Sequence, residues 1–446
     1  MQQEQDARAR RRILLFCFVA LFLLQQGALF LLYYAGPKLL VGDEAAYLAW
    51  ARGMAGLGPP VADAGWWPPL QAWLLAGSLR VFGDTLVPMQ LLQTALLLGA
   101  AAFLRALWRR CDGRVHAANI AAALFVLNPS NMAYAHWLWP EPVHLFLLFA
   151  ALYLVLRARE ALGGVALGGA LLAKSLLSLF WPLFALLLLR GRRVRGALAL
   201  VIGVAVVTAV PLYQGWQRTG RPMIADSSAF NLVGGLSERW RSDYVGDSVA
   251  ALAHDYFSSA ATPIERNAIY RARAEAMLRE QGLLATLEAQ FGRQYFRLFS
   301  AKTTLLSQLP GPACAGHLGS YRNAPPWLAQ VLAAVGDALH LICLVGFAVG
   351  LAFWRRWREP LVLWSALFFV YQLGLYLLLH VKARFLLPMM PFLCAFAGSA
   401  IASLRRPDAA AAVHLRGGAR WLIAAGLSAV LLMLALLGPW FDRSCG

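Results

Sequence analysis

Acidic residues are scarce in this chain: 22 Asp and Glu stand against 40 Lys and Arg, and charged residues make up only 14% of its 446 positions. A soluble domain carries about a quarter charged residues, so a row of water-soluble domains is excluded. Cysteine is sparse too. The six cysteines show no CxxC spacing and no metal-ligand cluster, which argues against a disulfide scaffold or a zinc module. Cys314 and Cys445 are the pair left with a disulfide as an open alternative. No small-residue cleavage site follows the first apolar run, so that run is expected to stay as a helix. No internal repeat of the kind many transporters show is present.

What the chain has in abundance is apolar sequence: 60% hydrophobic residues and a mean hydropathy of +0.59. Many runs reach the ~20 residues that cross a bilayer. The fold class is therefore an all-α polytopic membrane protein. The net charge of +18 would point to nucleic acid in a soluble protein. Here the basic residues gather in short loops between apolar runs, the pattern of cytoplasmic loops, so no nucleic acid is expected.

Those loops thread the chain. Arg8, Arg10, Arg11 and Arg12 place the N-terminus inside, ahead of a span at 13–35. Further spans are expected at 84–104, 117–136 and 141–156. "ALGGVALGGALLAKSLLSLFWPLFALLLLR" reads as a hairpin broken near Lys174, because "RGRRVR" follows it and belongs inside. Gly163, Gly164, Gly168 and Gly169 suit close helix packing. After a span at 197–213 comes a polar outer segment, 214–325, with one or two amphipathic helices in 264–299. Spans at 327–353, 361–379, 385–403 and 421–438 complete about eleven crossings. The resulting regions are an N-terminal transmembrane module with the first outer loop (1–213), an extracytoplasmic helical region (214–325) and C-terminal transmembrane helices (326–446).

Sorted by this threading, the unusual polar residues collect on the outer side: "LVGDEAAY" with Asp43 and Glu44, "GWWPPL", "HWLWPEP" with Glu141, Lys174, and "HVKARFLLPMMP" with His380, Lys382 and Arg384. Sugar transfer from a lipid-linked phosphate needs this set. A carboxylate takes the acceptor hydroxyl's proton, cations stabilise the leaving phosphate, and Arg holds phosphate with a planar fork. Trp66 and Trp67 offer a stacking surface for a sugar.

The layout resembles the GT-C glycosyltransferases, in the protein O-mannosyltransferase and aminoarabinose-transferase branch, and within it the bacterial galacturonosyltransferase-like group. The matching features are the outer "DE" pair, the Pro-Pro turn in "WPPLQAWLLAGSLRVFG", the second-loop acid Glu141, "GGALLAKS", "KARFLLPMMP" and the loop entry "PLYQGWQRTGRPMIADSSAFNLVGG". The resemblance covers nearly the whole chain. It implies a GT-C fold with about eleven transmembrane helices and an inverting glycosyltransferase. The donor would be a sugar on polyprenyl phosphate, and the acceptor an envelope lipopolysaccharide or lipid, glycan or protein, on the outer face of the cytoplasmic membrane. It also implies roles. Asp43 is the catalytic base, and Glu44 positions it or binds acceptor. Lys174, Arg384, Lys382 and His380 hold the donor phosphate. Tyr47, Trp66 and Trp67 line the substrate. Glu141 is the second-loop acid, a position tied in some relatives to a divalent cation, Mg or Mn. Several relatives have Asp there, a departure that bears on the metal. The internal Asn/His-Pro step common in the group's outer loop is also missing.

Plainer readings stand beside these. Asp43 and Glu44 can cap a helix, although neighbours on a helix diverge by about 100° and only one of them, Asp43, is expected to face a site. Trp66, Trp67, Trp137 and Trp139 lie where interfacial aromatics gather. Glu141 serves equally as a helix-start acid, and Lys174 can snorkel to headgroups. His136, His144 and His254 have no ligand spacing. The rival function is a transporter or flippase of a lipid-linked sugar, with an inactive lipid- or partner-binding relative behind it.

Overall fold

The computed structural model describes residues 2–34, 40, 43–61, 65–237, 246–300, 325–405, 412–413, 415 and 417–441. Cys314 and Cys445 lie outside them. Among the described residues the secondary structure is helical, with an isolated Trp354–Val413 bridge as the sole extended pairing.

Among the described residues five helices are long and apolar enough to cross a membrane: Arg12–Tyr33, Val87–Asp112, Val194–Thr219, Trp327–Ala352 and Gly418–Leu436. Shorter apolar helices accompany them at Leu70–Phe82, Val115–Val126, Glu160–Ala173, Pro360–Leu375 and Met390–Leu404. The chain is thus a multi-pass membrane protein by helix length and composition. We label the helices that matter here α1 (Gln2–Tyr34), α2 (Asp43–Ala55), α3 (Leu70–Phe82), α4 (Val87–Asp112), α5 (Val115–Val126), α6 (Glu141–Leu156), α7 (Glu160–Ala173), α8 (Pro182–Arg190) and α9 (Val194–Thr219).

The span expected at 117–136 is two elements. Helix α5 ends at Val126. Asn128 then caps a new turn, its side-chain oxygen accepting the Ser130 amide at 2.9 Å, with Pro129 behind it. This buried segment, Pro129–His136, meets α6 at 113°. Asn-Pro at the start of a turn is a helix-start signal, and it stops an otherwise continuous apolar run. The break at Lys174 is present as expected: α7 ends at Ala173, Lys174 is extended, and a short turn Ser175–Leu177 leads toward α8. Non-helical backbone at such a depth is tolerated where protein surrounds it.

The glycines of α7 divide between two neighbours. A Cβ on Gly163 would lie 2.7 Å from Val155 Cγ2, and one on Gly169 3.1 Å from Leu147 Cδ1, so both face α6. A Cβ on Gly164 would overlap the Leu200 carbonyl of α9, where Gly203 lies directly opposite, and one on Gly168 would lie 2.9 Å from Val207 Cβ. Gly164→Val is therefore expected to force α7 and α9 apart and lower stability by about 1–3 kcal/mol, the usual overpacking range. Gly77→Ala is the control. It sits in α3 with nothing within 4 Å of an added Cβ, so it should be neutral or raise stability by about 0.5–1 kcal/mol. Thermal unfolding in detergent checks both.

Beyond α9 the polar stretch folds into short helices: Ser228–Leu236, Gly246–Ser258, Pro263–Gln281 and Leu283–Arg293. The last two fill the amphipathic stretch, separated at Gly282, whose φ is +75°. Thr262 and Glu265 close a capping box on the first of them.

Candidate active site

Helix α2 begins with Asp43 and Glu44 in its first turn. The 100° step between neighbours sends them to different places. Glu44 is fully buried, and its Oε1 accepts the Leu138 amide N–H at 2.8 Å. That bond ties α2 to the turn that presents Trp139, Pro140 and Glu141. Asp43 is half-buried and turns to the segment 380–386, where its Oδ2 accepts from Arg384 Nη2 at 2.7 Å.

Arg384 is the hub. Its Nε lies 3.9 Å from Glu141 Oε1, and its guanidinium sits 4.3 Å from the centroid of the Trp139 ring. Glu141 in turn accepts from Lys174 Nζ at 3.1 Å. Lys174 lies 4.8 Å from the centre of the Phe385 ring, and Phe385 stacks on Tyr376 at 5.1 Å. Four charged side chains from four separate stretches thus form one chain of contacts, Asp43–Arg384–Glu141–Lys174. The Glu141 carboxylate is only 2% exposed. Charges buried this far persist only when paired.

The pairing is incomplete. Glu141 Oε2, Arg384 Nε and the Tyr376 hydroxyl are all buried without a hydrogen-bond partner.

Lys382 adds a third cation acting on both Asp43 and Glu141, so two carboxylates face three cations. Burial, then Arg384 beside it, pulls the Lys382 ammonium down to about 8, against the pull of the two carboxylates. Burial works to raise the Asp43 carboxyl, but Arg384, Lys382 and the Arg384 hydrogen bond outweigh it and hold it below the usual carboxylate range. Asp43 therefore contributes stability above its ordinary pKa, and this is lost as pH falls through the depressed value. His380 is pulled to about 3 by burial first and then by Lys382 and Arg384, which leaves it neutral near pH 7. In this structure it offers hydrogen bonds rather than charge. Burial first, then Asp43 and Glu141, push the Tyr47 hydroxyl well above its usual range, so Tyr47 adjoins the cluster as a neutral group.

Trp66 and Trp67 stack on each other at 4.8 Å, and Trp67 faces Tyr47 at 6.5 Å. Trp66 also stacks on Tyr256 at 5.7 Å and meets Phe257 edge-on at 4.4 Å. Its main contacts are thus with the helices after α9, while Trp67 is the ring turned toward Tyr47. His136 stacks on Tyr33, and His144 Nδ1 lies 2.9 Å from the Ala170 carbonyl. Trp139, Tyr376 and Phe385 were not singled out from sequence as site residues. The nearest signal was their place in the "HWLWPEP" and "HVKARFLLPMMP" stretches or just before them.

The metal expectation for Glu141 does not fit its surroundings. Its near neighbours are Lys174 and Arg384, and among the described residues no group of three His, Cys, Asp or Glu is gathered as metal ligands.

No protein-family model matches the chain, and no curated protein matches it. Among solved structures, the crystal structure of ArnT from Cupriavidus metallidurans bound to undecaprenyl phosphate is similar. It has 15% sequence identity and a TM-score of 0.38, and the alignment covers 87% of this chain and 77% of that one.

Proposed function

We propose that the chain is an inverting glycosyltransferase that moves a sugar from a polyprenyl-phosphate donor to an envelope acceptor. The observation that carries this reading is the single cluster Asp43–Arg384–Glu141–Lys174, with Lys382 beside it. The excess positive charge suits a phosphate, and Asp43 is the carboxylate at the cluster's more exposed edge, 24% exposed.

The donor phosphate would take the guanidinium fork of Arg384, with Lys174 and Lys382 as point charges. Arg384 holds Asp43 in the present arrangement. A phosphate that draws the guanidinium away leaves burial less opposed, which raises the Asp43 pKa and makes it a stronger base. Asp43 then removes the acceptor hydroxyl's proton as the oxygen attacks the anomeric carbon, and the polyprenyl phosphate leaves without needing an acid. Glu44 acts by holding the Leu138 turn, and Glu141 by fixing Lys174 and Arg384. Trp67, half-buried, would be the ring that meets a sugar, with the buried Tyr47 behind it. In this reading the site faces the outer side of the cytoplasmic membrane, with the N-terminus inside and the regions 1–213, 214–325 and 326–446 as outlined from sequence.

Mass spectrometry of envelope glycolipids and glycoproteins from a deletion strain tests the proposal. Loss of one sugar that returns with the complementing chain supports it. The transporter reading predicts something else: purified chain in nanodiscs, given a lipid-linked sugar donor and envelope extract, would release no polyprenyl phosphate.

Lys382 gives a pH prediction. Its charge is lost as pH rises through about 8, so donor affinity, read as KM for the lipid-linked sugar, should weaken above that pH. Lys382→Arg should move the weakening to higher pH, because guanidinium stays charged.

A further inference from the structure

Glu141 opens α6, and Arg157 follows its last residue. Sixteen helical residues at 1.5 Å each put about 24 Å between them, so Arg157 lies at the opposite end of α6 from the Asp43 cluster. There it meets Arg105, Arg109 and Arg110 from the last two turns of α4, around a cleft of about 430 Å³ whose remaining lining residue is Ala106. Arg105 donates to Asn119 Oδ1 at 2.6 Å, and the Arg157 guanidinium lies 5.4 Å from the centre of the Tyr153 ring. Among the described residues no carboxylate pairs with any of the four.

From this cleft the geometry points to a binding site for a phosphate group carried by a membrane phospholipid. Arginines in the last turns of α4 are individually unremarkable, since cations favour a helix C-terminus. The second helix is what makes a site. Arg157 closes the cleft from the end of α6, so four exposed arginines from two helices gather their positive charge around one open space, where an anion can meet several of them at once. Guanidinium forks match phosphate oxygens. Below the arginines, α4 presents Leu91, Leu92 and Leu98 on its exposed surface, an apolar strip on which acyl chains can lie while the headgroup reaches the arginines. The same phosphate chemistry is available from a free anion, and the test separates the two sources.

The full chain, purified in uncharged detergent, is titrated with phosphatidylglycerol, phosphatidylcholine and inorganic phosphate, and bound ligand is counted by native mass spectrometry. Wild type should take up phosphatidylglycerol well ahead of phosphatidylcholine. The Arg109→Gln/Arg110→Gln/Arg157→Gln variant should bind it about 100-fold more weakly, the order expected for three arginines near an anionic headgroup. Arg190→Gln/Arg192→Gln/Arg195→Gln removes the same charge elsewhere and should leave it unchanged. Inorganic phosphate bound by the wild type and lost with the pocket variant, without a preference for phosphatidylglycerol, keeps the phosphate site and makes its source soluble. Three results overturn the site: no binding of either anion, equal binding by the pocket variant, or an equal loss in the control variant. If the triple variant fails to fold, Arg157→Glu carries the same comparison.

Discussion

Asp43→Asn should leave a folded, membrane-inserted chain that no longer transfers sugar. The substitution keeps the side chain's shape, and its remaining oxygen still accepts from Arg384, where Asp43 now accepts at 2.7 Å. What disappears is the charge that takes a proton. Removing a general base lowers rates by about 10²–10⁴-fold, which should silence complementation of a deletion strain at matched membrane levels. In the wild type, ionised Asp43 should persist into acid because its pKa lies below the usual carboxylate range. The kcat/KM, which reports the free enzyme, should therefore hold as pH falls toward the ordinary carboxylate pKa and fall only below it, while kcat, set by the donor complex in which Arg384 has turned to the phosphate, should begin to fall at higher pH; the Asn variant's residual rate should be flat in both. Wild-type transfer by Asp43→Asn would leave Asp43 as a helix-start acid and bring the transporter reading forward.

Arg384→Met should be the most damaging single change to the structure. It strands Asp43 beside a buried Glu141 and removes the guanidinium over Trp139. Breaking a buried pair by deleting one partner typically destabilises by about 3–5 kcal/mol, because the other charge is left uncompensated. Adding Asp43→Asn to Arg384→Met should recover part of that stability, since the stranded charge goes too. It should recover no transfer, since both the base and the phosphate fork are gone. Thermal unfolding of the two single variants and the double gives the coupling. Strictly additive losses would show that Asp43 and Arg384 do not depend on each other for stability.

The helical, membrane-crossing character was legible because length and apolarity of a run are local properties. So was the break at Lys174, because a lysine inside an apolar stretch has few places to go. The 117–136 run was misjudged for an instructive reason: its composition is apolar throughout, and hydropathy outweighs a two-residue Asn-Pro signal that redirects the backbone. At the site, the sequence singled out the four charged residues that meet, because each lies at a helix end where a charge calls for explanation. That the two adjacent acids part ways followed from helix geometry; which of them would meet Arg384 did not. The partners did not follow. That Glu44 holds the Leu138 amide, that Trp139 lies under Arg384 and that Phe385 lies against Lys174 depends on elements brought together by folding, and no spacing within one segment encodes that.

The bond between Asp43 and Arg384 joins residues 341 positions apart. At ~5–20 residues per second of synthesis, the ribosome makes Asp43 roughly 20–70 s before the residue that neutralises it. Through that interval Asp43 lacks the guanidinium that will hold it, whereas Glu44 waits only for the Leu138 amide. The cluster is thus among the last parts of the protein to come into being.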